Sequence, residues 1–168
     1  MKNMQKVVKD QGSTIFLRVA VTGFAAGIAA ICIFLLPLIW RAVPIEYSSG
    51  HYAIYAVIIA LYLAAIPFFY AVYQVLNLLS FIGKNTAFSG LSVKALQRIS
   101  WCGVIICAIF AASLPFFYIW AQHVDAPGLM VIGLFLTVAS LGVAVFAAVA
   151  KRLFQQAIEI KSENDLTV

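Results

Sequence analysis

Few residues in this chain have both the type and the spacing that chemistry needs. Tyr70, Gln74 and Asn77 recur at i, i+4 and i+7 inside an uncharged stretch, Tyr47–Gly83, and so share one helix face. An amide in apolar surroundings is costly unless paired. The stripe therefore predicts either hydrogen bonds between helices or a small polar pocket for a ligand. His51 and His123 each stand alone beside an apolar block, where a solvated imidazole is a simpler reading than a metal ligand. Cys32, Cys102 and Cys107 sit within apolar runs, and the spacing of the last two fits neither a CxxC pair nor a zinc knuckle. They read as small hydrophobes. No Ser/His/Asp or Ser/Lys set converges, and Gly83 and Gly90 lack the Lys-Ser/Thr that completes a phosphate-binding loop. The sequence predicts no catalytic residue, no cofactor and no metal site, and hence no enzyme.

The elements that must carry these residues are set by composition. Of 168 residues, 64% are hydrophobic and 10% charged, against about 25% charged in a soluble domain. Lipid is the solvent for most of such a chain. Uncharged blocks lie at Val19–Trp40, within Tyr47–Gly83, and at Ile99–Val124 and Ala126–Ala150. Each can cross the ~30 Å hydrocarbon core as a helix. The first is too long for a cleavable leader and has no small-x-small site after it, so it reads as a retained helix. The expected fold is all-α: one polytopic domain, a bundle of four transmembrane helices at about 17–40, 52–79, 99–120 and 128–151. A loop at 81–98 and a tail at 152–168 complete it.

Orientation follows from the cations. Lys2, Lys6, Lys9 and Arg18 precede or open the first span. Lys84, Lys94 and Arg98 lie in the 81–98 loop, and Lys151, Arg152 and Lys161 follow the fourth span. Only Arg41 falls in the other connections. The positive-inside rule places both termini and the 81–98 loop in the cytoplasm, as in a multi-pass protein of the bacterial inner membrane. Trp40, Tyr47, Tyr52, Tyr118 and Trp120 then mark the outer interface and Trp101 the inner one. The net charge of +5 suits anionic lipid headgroups better than nucleic acid, because the basic residues flank apolar blocks.

Helix packing in lipid favours small residues. Ala20, Gly23, Gly27 and Ala30 form such a stripe in the first span. Ala53, Ala56, Ala60 and Ala64 do so in the second, and Gly133, Thr137, Ser140 and Ala144 in the fourth. The expected use is packing within the bundle, with a homo-oligomer through Gly23 and Gly27 as the alternative. Pro37, Pro67 and Pro115 each remove a backbone donor, and Pro67, nearest mid-membrane, is the expected kink. The span interiors lack the ionisable group that ion-coupled carriers usually need.

The basic face is richer. Ser89 suits the N-cap of a helix starting at Gly90, and Phe88 precedes it. Val93, Leu96 and Ile99 then alternate with Lys94, Gln97 and Arg98. Leu153, Phe154, Ala157 and Ile158 extend the fourth helix as an apolar stripe, and Glu163, Asn164, Asp165, Leu166 and Thr167 end the chain in an acidic tail too short to fold alone.

Those two stretches resemble the bacterial membrane-protein family catalogued as domain of unknown function 2975. Gly83, Phe88-Ser89, the run Ser92–Ile99 and the closing Glu163–Val168 carry the likeness, with mild departures at Gln97 and Val168. The resemblance implies four helices with cytoplasmic ends and no settled activity. It also implies a context, since members are often encoded beside a small helix-turn-helix regulator. The leading expectation is a non-enzymatic regulatory or adaptor protein of the inner membrane. Its cytoplasmic partner would meet Phe88, Ser89, Val93, Lys94, Arg98 and Glu163–Thr167. The alternative is a small-molecule transporter or ligand sensor with a cavity at Tyr70, Gln74 and Asn77.

Overall fold

The computed structural model describes residues 2–42, 51–83 and 90–166, with side chains over most of these from residue 15 to residue 163. Apart from one turn, every described segment is helical. Helix α1 (Lys2–Ala30) passes through a π-helical turn (Ile31–Leu35) into α2 (Leu36–Ala42). The long helices α3 (His51–Gly83), α4 (Gly90–His123) and α5 (Gly128–Leu166) follow. Four segments are long and apolar enough to span a membrane: Ile15–Ile39, Tyr52–Phe81, Gly90–His123 and Gly128–Glu163. The expected all-α fold with four spans holds.

Each span packs on its neighbour in sequence. α3 lies on α4, α4 on α5, and α1 on α3, and among the described residues α5 shares no comparable face with α1 or α3. The arrangement is a row with α3 and α4 inside it. Their burial differs accordingly, since α1 and α5 keep most of their surface open to lipid.

The tightest seam joins α4 and α5. A Cβ placed on Gly103 would stand 2.9 Å from the Ala144 Cβ and 3.0 Å from that residue's backbone nitrogen. Beside this crossing the Ser100 hydroxyl donates to the Ala144 carbonyl at 2.9 Å. Further along, the Phe117 ring covers Gly133, whose Cβ would sit 2.9 Å from it. Close backbone approach and a cross-helix hydrogen bond are what hold helices together where water does not. The Gly133–Ala144 stripe therefore packs as expected. Its hydroxyls, however, bond within α5: Thr137 donates to the Gly133 carbonyl and Ser140 to that of Thr137.

The α4–α5 turn explains itself chemically. The Ala126 amide donates to the Ala121 carbonyl at 3.0 Å, closing a Schellman cap around Asp125, which has φ 51°. Aspartate is among the few residues that tolerate that conformation. Pro127 follows, with its ring preset for a first helical turn.

One packing expectation needs correction. In α1, Ala20, Gly23, Gly27 and Ala30 are exposed and no atom stands within 4 Å of a Cβ at either glycine. The helix meets α3 with another face. Phe24 packs edge-on against Phe68 with centroids 6.2 Å apart, and the Tyr62 hydroxyl reaches the Cys32 carbonyl. Pro67 and Pro115 lie inside continuous helices, and a π-helical turn precedes Pro37.

Candidate functional site

Antiparallel pairing assigns the cations with described side chains to the two ends. Cys32 meets Tyr62 while Phe24 meets Phe68, so α1 runs against α3. α4 and α5 run against each other in the same way, with Gly103 at Ala144 and Phe117 at Gly133. α3 ends at Gly83 and α4, packed on it, begins at Gly90, so these two also run in opposite directions. Arg18, Lys94, Arg98, Lys151, Arg152 and Lys161 gather at one end of the row, and Arg41 lies at the other. Tyr52 and Tyr118 are exposed toward the Arg41 end and Trp101 toward the basic end, as aromatic belts require.

Helix lengths point to the same end. At 1.5 Å per residue, the 34 residues of α4 and 39 of α5 run to about 51 and 58 Å, against a ~30 Å hydrocarbon core. The two helices are flush at the Val124–Pro127 turn, so the surplus projects at the basic end. Counting back from the Gly103–Ala144 crossing, Arg98 is level with Val149 and Lys94 with Leu153. The first turns of α4 thus lie beside α5 just past Ala150, the last residue of its uncharged run.

The run Ser92–Ile99 divides into two faces. Ser92, Val93, Ala95, Leu96 and Ile99 are buried, whereas Lys94, Gln97 and Arg98 are exposed. Val93 is therefore part of the helix seam and not of an exposed docking face, because its place on α4 turns it toward the neighbouring helices. On α5, Lys151, Phe154, Ala157 and Ile158 are half-buried, while Arg152, Leu153, Glu159, Ile160 and Glu163 face outward. Asn164, Asp165 and Leu166 continue the helix backbone. A segment too short to nucleate a helix can still extend one already formed, since propagation fixes only one residue per added bond. Phe88, Ser89 and Thr167 lie outside the described residues. α4 begins at Gly90, where the Ser89 cap predicts it.

One feature of this region was not foreseen. Ser92 has 0% exposure, and its hydroxyl has no hydrogen-bond partner among the described residues. A serine two residues past a helix start resembles many surface serines in sequence, so only the packing reveals it.

The polar stripe on α3 is unevenly buried. Gln74 is 4% exposed and Asn77 half-buried, whereas Tyr70 is 44% exposed. Gln74 faces inward as expected, and burial falls off along the stripe toward Tyr70. Cys32, Cys102 and Cys107 are all free thiols. Among the described residues, no three His, Cys, Asp or Glu side chains stand together.

Comparison with known proteins agrees with this layout. The family model described as "Protein of unknown function (DUF2975)" matches residues 42–168. The chain belongs to this family. The match takes in α3, α4 and α5, the three most extensively packed helices. The chain is also 51% identical over 156 residues to "Uncharacterized membrane protein YoaS" of Bacillus subtilis, covering 93% of this chain and 98% of the relative. An alignment of that length leaves out only twelve residues of this chain, so it includes most or all of the first span. No solved structure matches. Membership of this membrane-protein family and four apolar helices together make the chain a multi-span membrane protein.

Proposed function

We propose that this chain is a non-catalytic adaptor of the bacterial inner membrane, which holds a soluble regulator at the cytoplasmic surface. The observation that carries this reading is the concentration of surplus helix, exposed cations and outward apolar side chains at one end of the row. α5 alone continues for 16 residues beyond Ala150. Lys94, Arg98 and Arg152 form its exposed basic part, and Leu153, Ile160 and Glu163 its more distal part. Such a mixed surface suits a protein partner better than a small substrate, which binds in concave, mostly enclosed sites. The positive-inside rule puts this end in the cytoplasm. A small helix-turn-helix transcription regulator is the partner class that the family's context favours. The 44% exposure of Tyr70 favours an enclosed ligand site at Tyr70, Gln74 and Asn77, the competing transporter or sensor reading, less than the surface at the basic end.

The test is copurification from native membranes of a helix-turn-helix regulator encoded next to this gene. The full chain is compared with a chain ending at Arg152 and with Lys94→Glu/Arg98→Glu. Loss of the regulator in both variants, at unchanged membrane levels, is the expected result. Retention by both variants contradicts the reading.

A further inference from the structure

α5 carries a groove of about 510 Å³ on its exposed side, lined by Val138, Leu141, Gly142, Val145, Phe146 and Val149. These positions recur every three or four residues and form one continuous face. Gly142 supplies the notch, as no atom lies within 4 Å of where its Cβ would stand. Phe146, 76% exposed, forms one wall. We propose that this groove holds an acyl chain of an anionic phospholipid whose headgroup phosphate pairs with Arg152.

Depth is the first argument. From Val138 to Val149 the helix rises about 16 Å, close to half of a ~30 Å hydrocarbon core. Lys151 and Arg152 are the first charges after the uncharged run Ala126–Ala150, so the groove ends where the headgroups begin. An acyl chain lying along it would reach from the bilayer midplane to the interface.

Charge is the second. Arg152 is exposed and stands three residues beyond Val149, less than one turn further along the same face. A guanidinium forks onto a phosphate through two parallel N–H donors, which a point charge cannot do. Arg98 on α4 is exposed at the level of Val149 and adds positive potential at the same depth.

The charge also argues against a second copy as the occupant. A two-fold dimer brings like residues of its two protomers together. Across this face it would set Arg152 near Arg152 at the edge of the hydrocarbon, where repulsion is poorly screened.

The experiment is native mass spectrometry of the full chain released from detergent with an equimolar mixture of phosphatidylglycerol and phosphatidylcholine of identical acyl chains. The wild type is expected to retain phosphatidylglycerol preferentially. Arg152→Gln should reduce that preference roughly fivefold, the effect of about one interfacial cation. Gly142→Leu, which fills the notch without touching the charge, should reduce retention of both lipids. Arg41→Gln, at the opposite end, should change neither. Thermal unfolding of each variant checks that the fold is intact, and Arg152→Lys and Gly142→Ile serve as second variants if either first choice fails. Equal retention of the two lipids by the wild type overturns the proposal. So does an undiminished preference without Arg152, undiminished retention with the notch filled, or a dimer in place of bound lipid.

Discussion

The Tyr62 hydroxyl donates to the Cys32 carbonyl at 2.9 Å, within the π-helical turn of the first span. The Leu36 amide bonds to the Ile31 carbonyl, five residues back, and so does not serve Cys32. In that register the Cys32 carbonyl would be served by residue 37, which is proline and has no N–H. Inside a bilayer no water makes up the deficit. A side chain from α3 does so instead, and it also ties the loosely packed first span to the rest of the row.

Tyr62→Phe removes that donor while keeping the ring. It is expected to lower stability by about 1 kcal/mol, the scale of a side-chain hydrogen bond within a membrane. Pro37→Ala supplies an amide and should let the turn return to α-helical register, so Tyr62→Phe should cost less in that background. A double-mutant cycle by reversible unfolding in mixed micelles measures the coupling. Equal costs in the two backgrounds would show that proline and tyrosine are unrelated.

Gly103→Ala forces a methyl group against the backbone of Ala144, and the neighbouring helix cannot move away by a side-chain rotation. A loss of about 1–3 kcal/mol is expected, as for overpacking elsewhere. Gly27→Ala is the matched control, with open space where its methyl would go. Thermal unfolding in detergent should separate the two variants, and a Gly27 effect as large as that of Gly103 would refute the assigned packing.

Ser92→Ala should stabilise the fold. Its buried hydroxyl makes no hydrogen bond among the described residues, and such a group costs about 1–3 kcal/mol relative to an apolar replacement of the same shape. Ser92→Val, by contrast, should destabilise, because the site is already filled. Both are read as shifts in unfolding midpoint, and destabilisation by alanine would mean that the hydroxyl has a structural role.

The spans and the gathering of cations were legible in the sequence because both are local properties, an uncharged run and the charge that ends it. The start of α4 at Gly90 was legible for the same reason, through Ser89. Which face of a helix meets a neighbour was less so. In α1 the stripe of Ala20, Gly23, Gly27 and Ala30 looked like a packing face, yet bulkier Phe24 makes the contact with α3. Gly103 escaped notice although Ser100, Gly103 and Cys107 form a small-residue stripe of their own. The π-helical turn lies just before Pro37 and takes a hydrogen bond from a tyrosine 25 residues after that proline, a pairing that no local window contains. Val93 was misplaced because its apolar character suits an exposed anchor and a buried seam equally, and only the neighbouring helices decide.

Site-directed labelling tests the central claim most directly. Ile160→Cys lies in the projecting part of α5 and Val124→Cys in the turn at the other end, both exposed. A membrane-impermeant maleimide is applied to intact spheroplasts and to inverted vesicles, with the parent chain as background. The account predicts labelling of Val124→Cys in spheroplasts and of Ile160→Cys only in inverted vesicles. Labelling of Ile160→Cys from outside would contradict it.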